Sequence, residues 1–107
     1  MRKNQISGII HNLLHLSGWQ HPLGYISLPR KFEINLLNGE IKYLKGYSED
    51  DDLGKFYKEK QEWFVERVKK FGGKLSDFKE AKIKVIGAKE KVIINYKDKS
   101  FEGEEVI

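Results

Sequence analysis

All three histidines of this 107-residue chain fall within eleven positions, at His11, His15 and His21. Side chains four apart share one face of a helix, so His11 and His15 would project together as ligands of a metal ion. His21 would supply a third donor from the segment that follows, and zinc suits such an imidazole set best. The spacing lacks the adjacent glutamate of a metalloprotease motif. The competing reading is a pair of half-covered imidazoles at the border of an amphipathic helix.

A second set of residues is basic. Arg30, Lys31, Lys42, Lys45, Lys82 and Lys84, with Lys91 and Lys97, would line one exposed face of a sheet, and Tyr25, Tyr47 or Tyr96 would stand among them as stacking surfaces. Single-stranded nucleic acids are held by that combination of cations and rings. The charge is unevenly spread: residues 1–47 carry six basic and two acidic groups, residues 48–80 eight and nine, and residues 81–107 six and five. Most of the net +4 therefore belongs to the first half of the chain. Trp19 lies in the loop-like stretch from Ser17 to Pro22 beside His21, which makes it either a contact surface or the cover over one end of the core. Glu49, Asp50, Asp51 and Asp52 resemble a divalent-cation site, but acids in the first turn of a helix are what the macrodipole favours, and the spacing of an EF-hand is missing.

Other chemistries are excluded by what the sequence lacks. Without cysteine there is no disulfide framework, thiol nucleophile or cysteine-ligated zinc. GxSxG, P-loop and GxGxxG patterns are absent. No run of 18 apolar residues occurs, so a membrane-spanning helix is not expected. The N-terminal apolar stretch is interrupted by Ser7, Gly8, His11, Asn12 and His15, unlike the core of a signal peptide, and a cytoplasmic protein is the expectation.

The elements that must position these residues can be read from periodicity. Between Lys31 and Tyr47 two alternating runs flank Asn38-Gly39, which predicts a β-hairpin closed by a two-residue type I′ turn. That turn would pair Leu36 with Ile41, Ile34 with Tyr43 and Phe32 with Lys45. One face would then carry Phe32, Ile34, Leu36, Ile41 and Tyr43. From Leu53 the spacing turns helical through Phe56, Tyr57, Phe64, Val68 and Phe71, with Trp63 at the edge. A helix over about 49–71 follows, with Ser48 as N-cap and Gly72-Gly73 as its left-handed stop. Lys60 and Arg67 fall within the same arc and are expected to keep their charges in water along its rim.

Residues 74–80 read as a polar connector, and 82–105 as a β-meander with Gly87 to Glu90 and Asp98 to Ser100 as turns and a short, acidic last strand. Ile6, Ile9, Ile10, Leu13 and Leu14 keep helical spacing up to Ser17-Gly18, although a strand pair over Ile6 to Leu14 and Tyr25 to Leu28 competes. Leu23 to Leu28, bracketed by Pro22 and Pro29, suggests a further short strand.

The expected fold is one α+β domain. An antiparallel sheet made of the hairpin 31–47 and the meander 82–105 packs against one long helix, with an N-terminal helix or strand segment beside it. The leading functional expectation is a small non-catalytic binding or adaptor module acting through the exposed sheet face and the Trp19 loop, with a protein or a nucleic acid as partner. A small enzyme or metal-binding protein built on the three histidines is the alternative. A third reading is an obligate oligomer, in which edge strands and the N-terminal apolar segment complete their burial in a second copy.

Overall fold

A computed structural model describes residues 1–15, 31–43, 51–86 and 89–106, without the side chains of 51–53 and 106. The described elements are helix α1 (Lys3–His15), strands β1 (Lys31–Asn35) and β2 (Ile41–Tyr43), helix α2 (Asp51–Lys70), a 3-10 turn at Leu75–Asp77, and strands β3 (Phe78–Ile86), β4 (Lys89–Tyr96) and β5 (Lys99–Val106). The strands form an antiparallel sheet in the order β2-β1-β3-β4-β5. Chain connection puts α2 between β2 and β3, and β3 then pairs with β1 rather than with the preceding strand.

One side of the sheet is oily. Phe32 and Ile34, Ala81, Ile83 and Val85, and Val92, Ile94 and Tyr96 alternate inward and join Ile6, Ile9, Ile10 and Leu13 of α1 and Tyr57, Phe64 and Val68 of α2 in a single core cluster. Full burial of each large apolar side chain contributes about 1.5–3 kcal/mol, so this layer is the principal source of stability. The expected aromatic flank of α2 is therefore where its spacing placed it, apart from its ends. Phe56 is partly buried and Phe71 is 37% exposed. The helix closes in a Schellman motif: Gly72, at φ 77°, donates to the Lys69 carbonyl and Gly73 to the Val68 carbonyl. It begins at Asp51, and Ser48 lies outside the described residues.

The N-terminal segment is a helix, which removes the strand alternative over Ile6 to Leu14. The Gln5 side chain accepts the Arg2 backbone N–H at 2.8 Å, the return arm of a capping box, and Ile6, Ile9, Ile10 and Leu13 point to the sheet. Gly103 of β5 is what allows α1 to lie so close. A Cβ there would stand 2.5 Å from Ile10 Cγ2 and 2.7 Å from Leu14 Cδ1. Because α1 buries its apolar stripe within its own chain, that stripe requires no second copy.

Three details of the sheet depart from expectation. The hairpin register is Phe32 with Tyr43 and Ile34 with Ile41, two residues from the pairing a type I′ turn would impose. The Asn35 N–H donates to the Glu40 carbonyl at 2.8 Å, and Leu36 to Gly39 form a four-residue loop. Gly39, at φ 78°, takes the left-handed position and donates to the Asn35 carbonyl. Leu36 is fully buried, as either register would make it, and its N–H donates to the Ala81 carbonyl of β3 at 2.7 Å, which ties the loop to the neighbouring strand. A slip of two preserves which face each side chain occupies, so the expected inward set survives.

The second departure is that β3 starts at Phe78 within the expected connector. A bulge at Lys79-Glu80 puts Phe78 and Ala81 on the same face three residues apart, which hides the strand from a period-two reading. Lastly, β5 spans eight residues rather than being short. The β4-β5 turn is Lys97-Asp98, with Lys97 at φ 55°, and Glu90, expected in a turn, lies inside β4. The expected strand Leu23 to Leu28 lies outside the described residues.

Candidate functional site

The alternation that sends apolar residues inward sends the lysines outward. Lys31, Lys42, Lys82 and Lys84 all stand on the face of the sheet opposite the helices, as their spacing implied, together with Lys89 and Lys91. Cross-strand pairing arranges them in rows. One runs Lys42, Glu33, Lys84, Lys91, Glu104 across all five strands, and the next runs Asn35, Lys82, Ile93, Glu102. Arg30, Lys45, Trp19, Tyr25 and Tyr47 lie outside the described residues. Tyr96 is not a stacking surface: it faces the core, 4.9 Å from the Phe78 ring, because its parity in β4 matches that of Ile94.

Glutamates interleave with these lysines, a feature the basic-patch reading did not weigh. Lys82 reaches Glu80 at 3.0 Å and Glu33 at 4.0 Å, Lys89 reaches Glu104 at 3.5 Å, and Lys91 reaches Glu102 at 3.6 Å. Such exposed pairs are each worth about 0–1 kcal/mol. Lys84 is different. It stands directly opposite Lys91 across the β3-β4 ladder, two positions from Lys82 on its own strand, in the middle of the sheet. Like charges directly opposite on one face are destabilising. Beside this centre, toward the hairpin, a concavity of about 270 Å³ is lined by Glu33, Asn35, Lys42, Lys79, Glu80 and Lys82.

At the C-terminal end of α1 the histidines take the arrangement their spacing requires. The His11 and His15 rings are exposed, with centroids 4.9 Å apart, and His15 Nδ1 lies 2.9 Å from Glu105 Oε1 of β5. His21 lies outside the described residues. Among the described residues, no group of three or more His, Asp or Glu side chains is placed to hold a metal ion.

Under that end of α1 lies a network that sequence reading missed. Lys60 does not stay in water: its side chain is 2% exposed, and Nζ donates to Glu90 Oε1 and to the Leu13 carbonyl, both at 2.8 Å. Glu90 Oε2 accepts the Tyr57 hydroxyl at 2.8 Å, and Nζ lies 5.0 Å from the centre of the Phe56 ring. Leu13 is in the last turn of α1, where carbonyls lack helical partners, so the lysine caps that helix from below. Burial pushes the Lys60 ammonium below the ordinary lysine value, and the charges of Glu90 and Glu105 oppose that shift without cancelling it. Glu90 and Glu105 face each other across β4 and β5, one held by Lys60 and the other by His15. The signal available in the sequence was a lysine on the apolar arc of α2, a position where one charge needs a partner that only the fold can bring. Arg67, the other cation of that arc, does remain at the surface, partly exposed with its guanidinium 5.2 Å from the Trp63 ring.

None of the described helices is long and apolar enough to cross a membrane. Comparison with protein-family models, with curated proteins and with solved structures finds no match to this chain.

Proposed function

We propose that this chain is a non-catalytic binding module that takes a nucleic-acid strand on the open face of its sheet. The observation that carries the reading is Lys84 set directly opposite Lys91, with Lys82 beside it, at the centre of a face that no described element covers. The Lys84–Lys91 pairing is unfavourable although Glu33 and Glu104 stand opposite these lysines on their other sides, and a bound row of phosphates would relieve it. The flanking glutamates confine the attraction to this central strip. They also make the grip modest, since Glu33, Glu80, Glu102 and Glu104 repel a backbone that strays across the strands. Among the described residues Tyr96 is turned inward and the lysines meet phosphates, which predicts little preference among sequences from this face.

Titration of fluorescent single-stranded DNA and RNA at several salt concentrations tests this. Engagement of three lysines predicts a log–log slope near about −2, at roughly −0.7 per phosphate contact on single strands. Lys84→Glu should abolish the binding. Failure to bind at low salt, or equal binding by Lys84→Glu, removes the reading.

A further inference from the structure

We infer that His11 and His15 form a surface chelate for one divalent transition-metal ion, with Glu105 as the residue that positions it. The inference is independent of the sheet-face reading, because the pair lies on the helical side of the sheet. Four features of the fold converge on it. Two imidazoles bound to one ion at about 2.0–2.1 Å through nitrogen, at angles of about 90–109°, have ring centroids about 4.4–5 Å apart. The His11 and His15 centroids are 4.9 Å apart, within that range, so the two rings stand at the separation a shared ion requires.

The second feature is the tautomer. A nitrogen 2.9 Å from a carboxylate oxygen must carry a proton, so His15 Nδ1 donates to Glu105 and its Nε2 lone pair is the ligand. A carboxylate behind a metal-binding imidazole orients the ring and raises its basicity. Third, both histidines belong to the C-terminal half of a 13-residue helix, and His15 is its last residue. The Glu105 charge favours a cation there, while the helix end itself is already met by Lys60 Nζ at the Leu13 carbonyl. Fourth, the rings are exposed, which leaves a path for entry and positions for water around the ion. Two imidazole nitrogens completed by water suit copper(II) and nickel(II), with zinc(II) after copper in affinity.

The experiment is isothermal titration of the untagged full chain with copper(II), nickel(II) or zinc(II) salts, repeated on His11→Ala, His15→Ala and Glu105→Gln. Since both rings are exposed, these variants keep the fold, which circular dichroism verifies. The expected result is one ion per chain, with affinity reduced tenfold or more by each histidine substitution and about 10–100-fold by Glu105→Gln. Dissociation constants weaker than about 1 mM for all three ions, or a loss below tenfold in either histidine variant, overturn the site. Unchanged affinity in Glu105→Gln overturns the positioning role of that carboxylate alone.

Discussion

The two faces of this sheet are built from the same strands and obey opposite rules. On the helix side, Phe64, Val68, Ile83, Val85, Val92 and Ile94 are fully buried, and the charges buried with them, Lys60 and Glu90, have specific partners at 2.8 Å. On the other side, lysines and glutamates meet at 3.0–4.0 Å, half in water. Burial makes each covered position sensitive to a single atom, whereas solvent screening leaves the open rows free to be arranged for a ligand.

Substitutions should separate the two faces by size of effect. Phe64→Ala, which empties the centre of the helix-sheet layer, should lower unfolding free energy in urea by about 3–5 kcal/mol. A comparable loss of about 3–5 kcal/mol is expected for Lys60→Met, because Glu90 is then left buried without its cation. The triple variant Tyr57→Phe, Lys60→Met, Glu90→Leu should regain most of that loss, since apolar groups of similar volume need no desolvated charge. A triple variant as unstable as the single one would mean that the network contributes through something other than charge pairing.

The Lys60 pair also has a pH signature. In the unfolded chain its lysine stays protonated up to about 10.5, whereas burial makes the native one release its proton earlier, so between those points the unfolded state binds more protons and stability rises with pH. The advantage of wild type over Lys60→Met should therefore widen as pH approaches 10.5, measured by urea denaturation across the alkaline range. A shrinking advantage would show that the Glu90 attraction outweighs burial.

Gly103→Ala comes next, at about 1–3 kcal/mol, because the new methyl collides with Ile10 and Leu14 and must push α1 off the sheet. The smallest effect belongs to the open face. Lys84→Glu turns the like-charge pair with Lys91 into an opposite one but sets a new like-charge pair against Glu33 on β1, so the two effects offset and stability should change by less than about 1 kcal/mol, while affinity for nucleic acid should be lost. A large loss of stability there would mean that the open face is not open.

Much of this architecture was legible in the residues themselves. Helical spacing located α1 and the core of α2, alternation located the hairpin and β4, and Gly72-Gly73 marked the end of α2. The outward set Lys31, Lys42, Lys82 and Lys84 followed from the same alternation. What escaped was each case where a distant contact overruled a local rule. The hairpin register moved by two with Leu36 hydrogen-bonded to Ala81 of β3, the bulge at Lys79-Glu80 masked the start of β3, and Glu90 looked like a turn residue until Lys60 was brought to it.

Periodicity and turn chemistry are properties of neighbours along a chain, and they determined the element types, the inward and outward sets, and the shared face of His11 and His15. Strand order, the approach of α1 to Gly103, the Lys60–Glu90 contact across 30 positions and the placement of Lys84 beside Lys91 were decided only by tertiary structure. The reason is physical: burying a charge or closing a helix onto a strand depends on groups far apart in the chain, and their energies exist only once the core has formed.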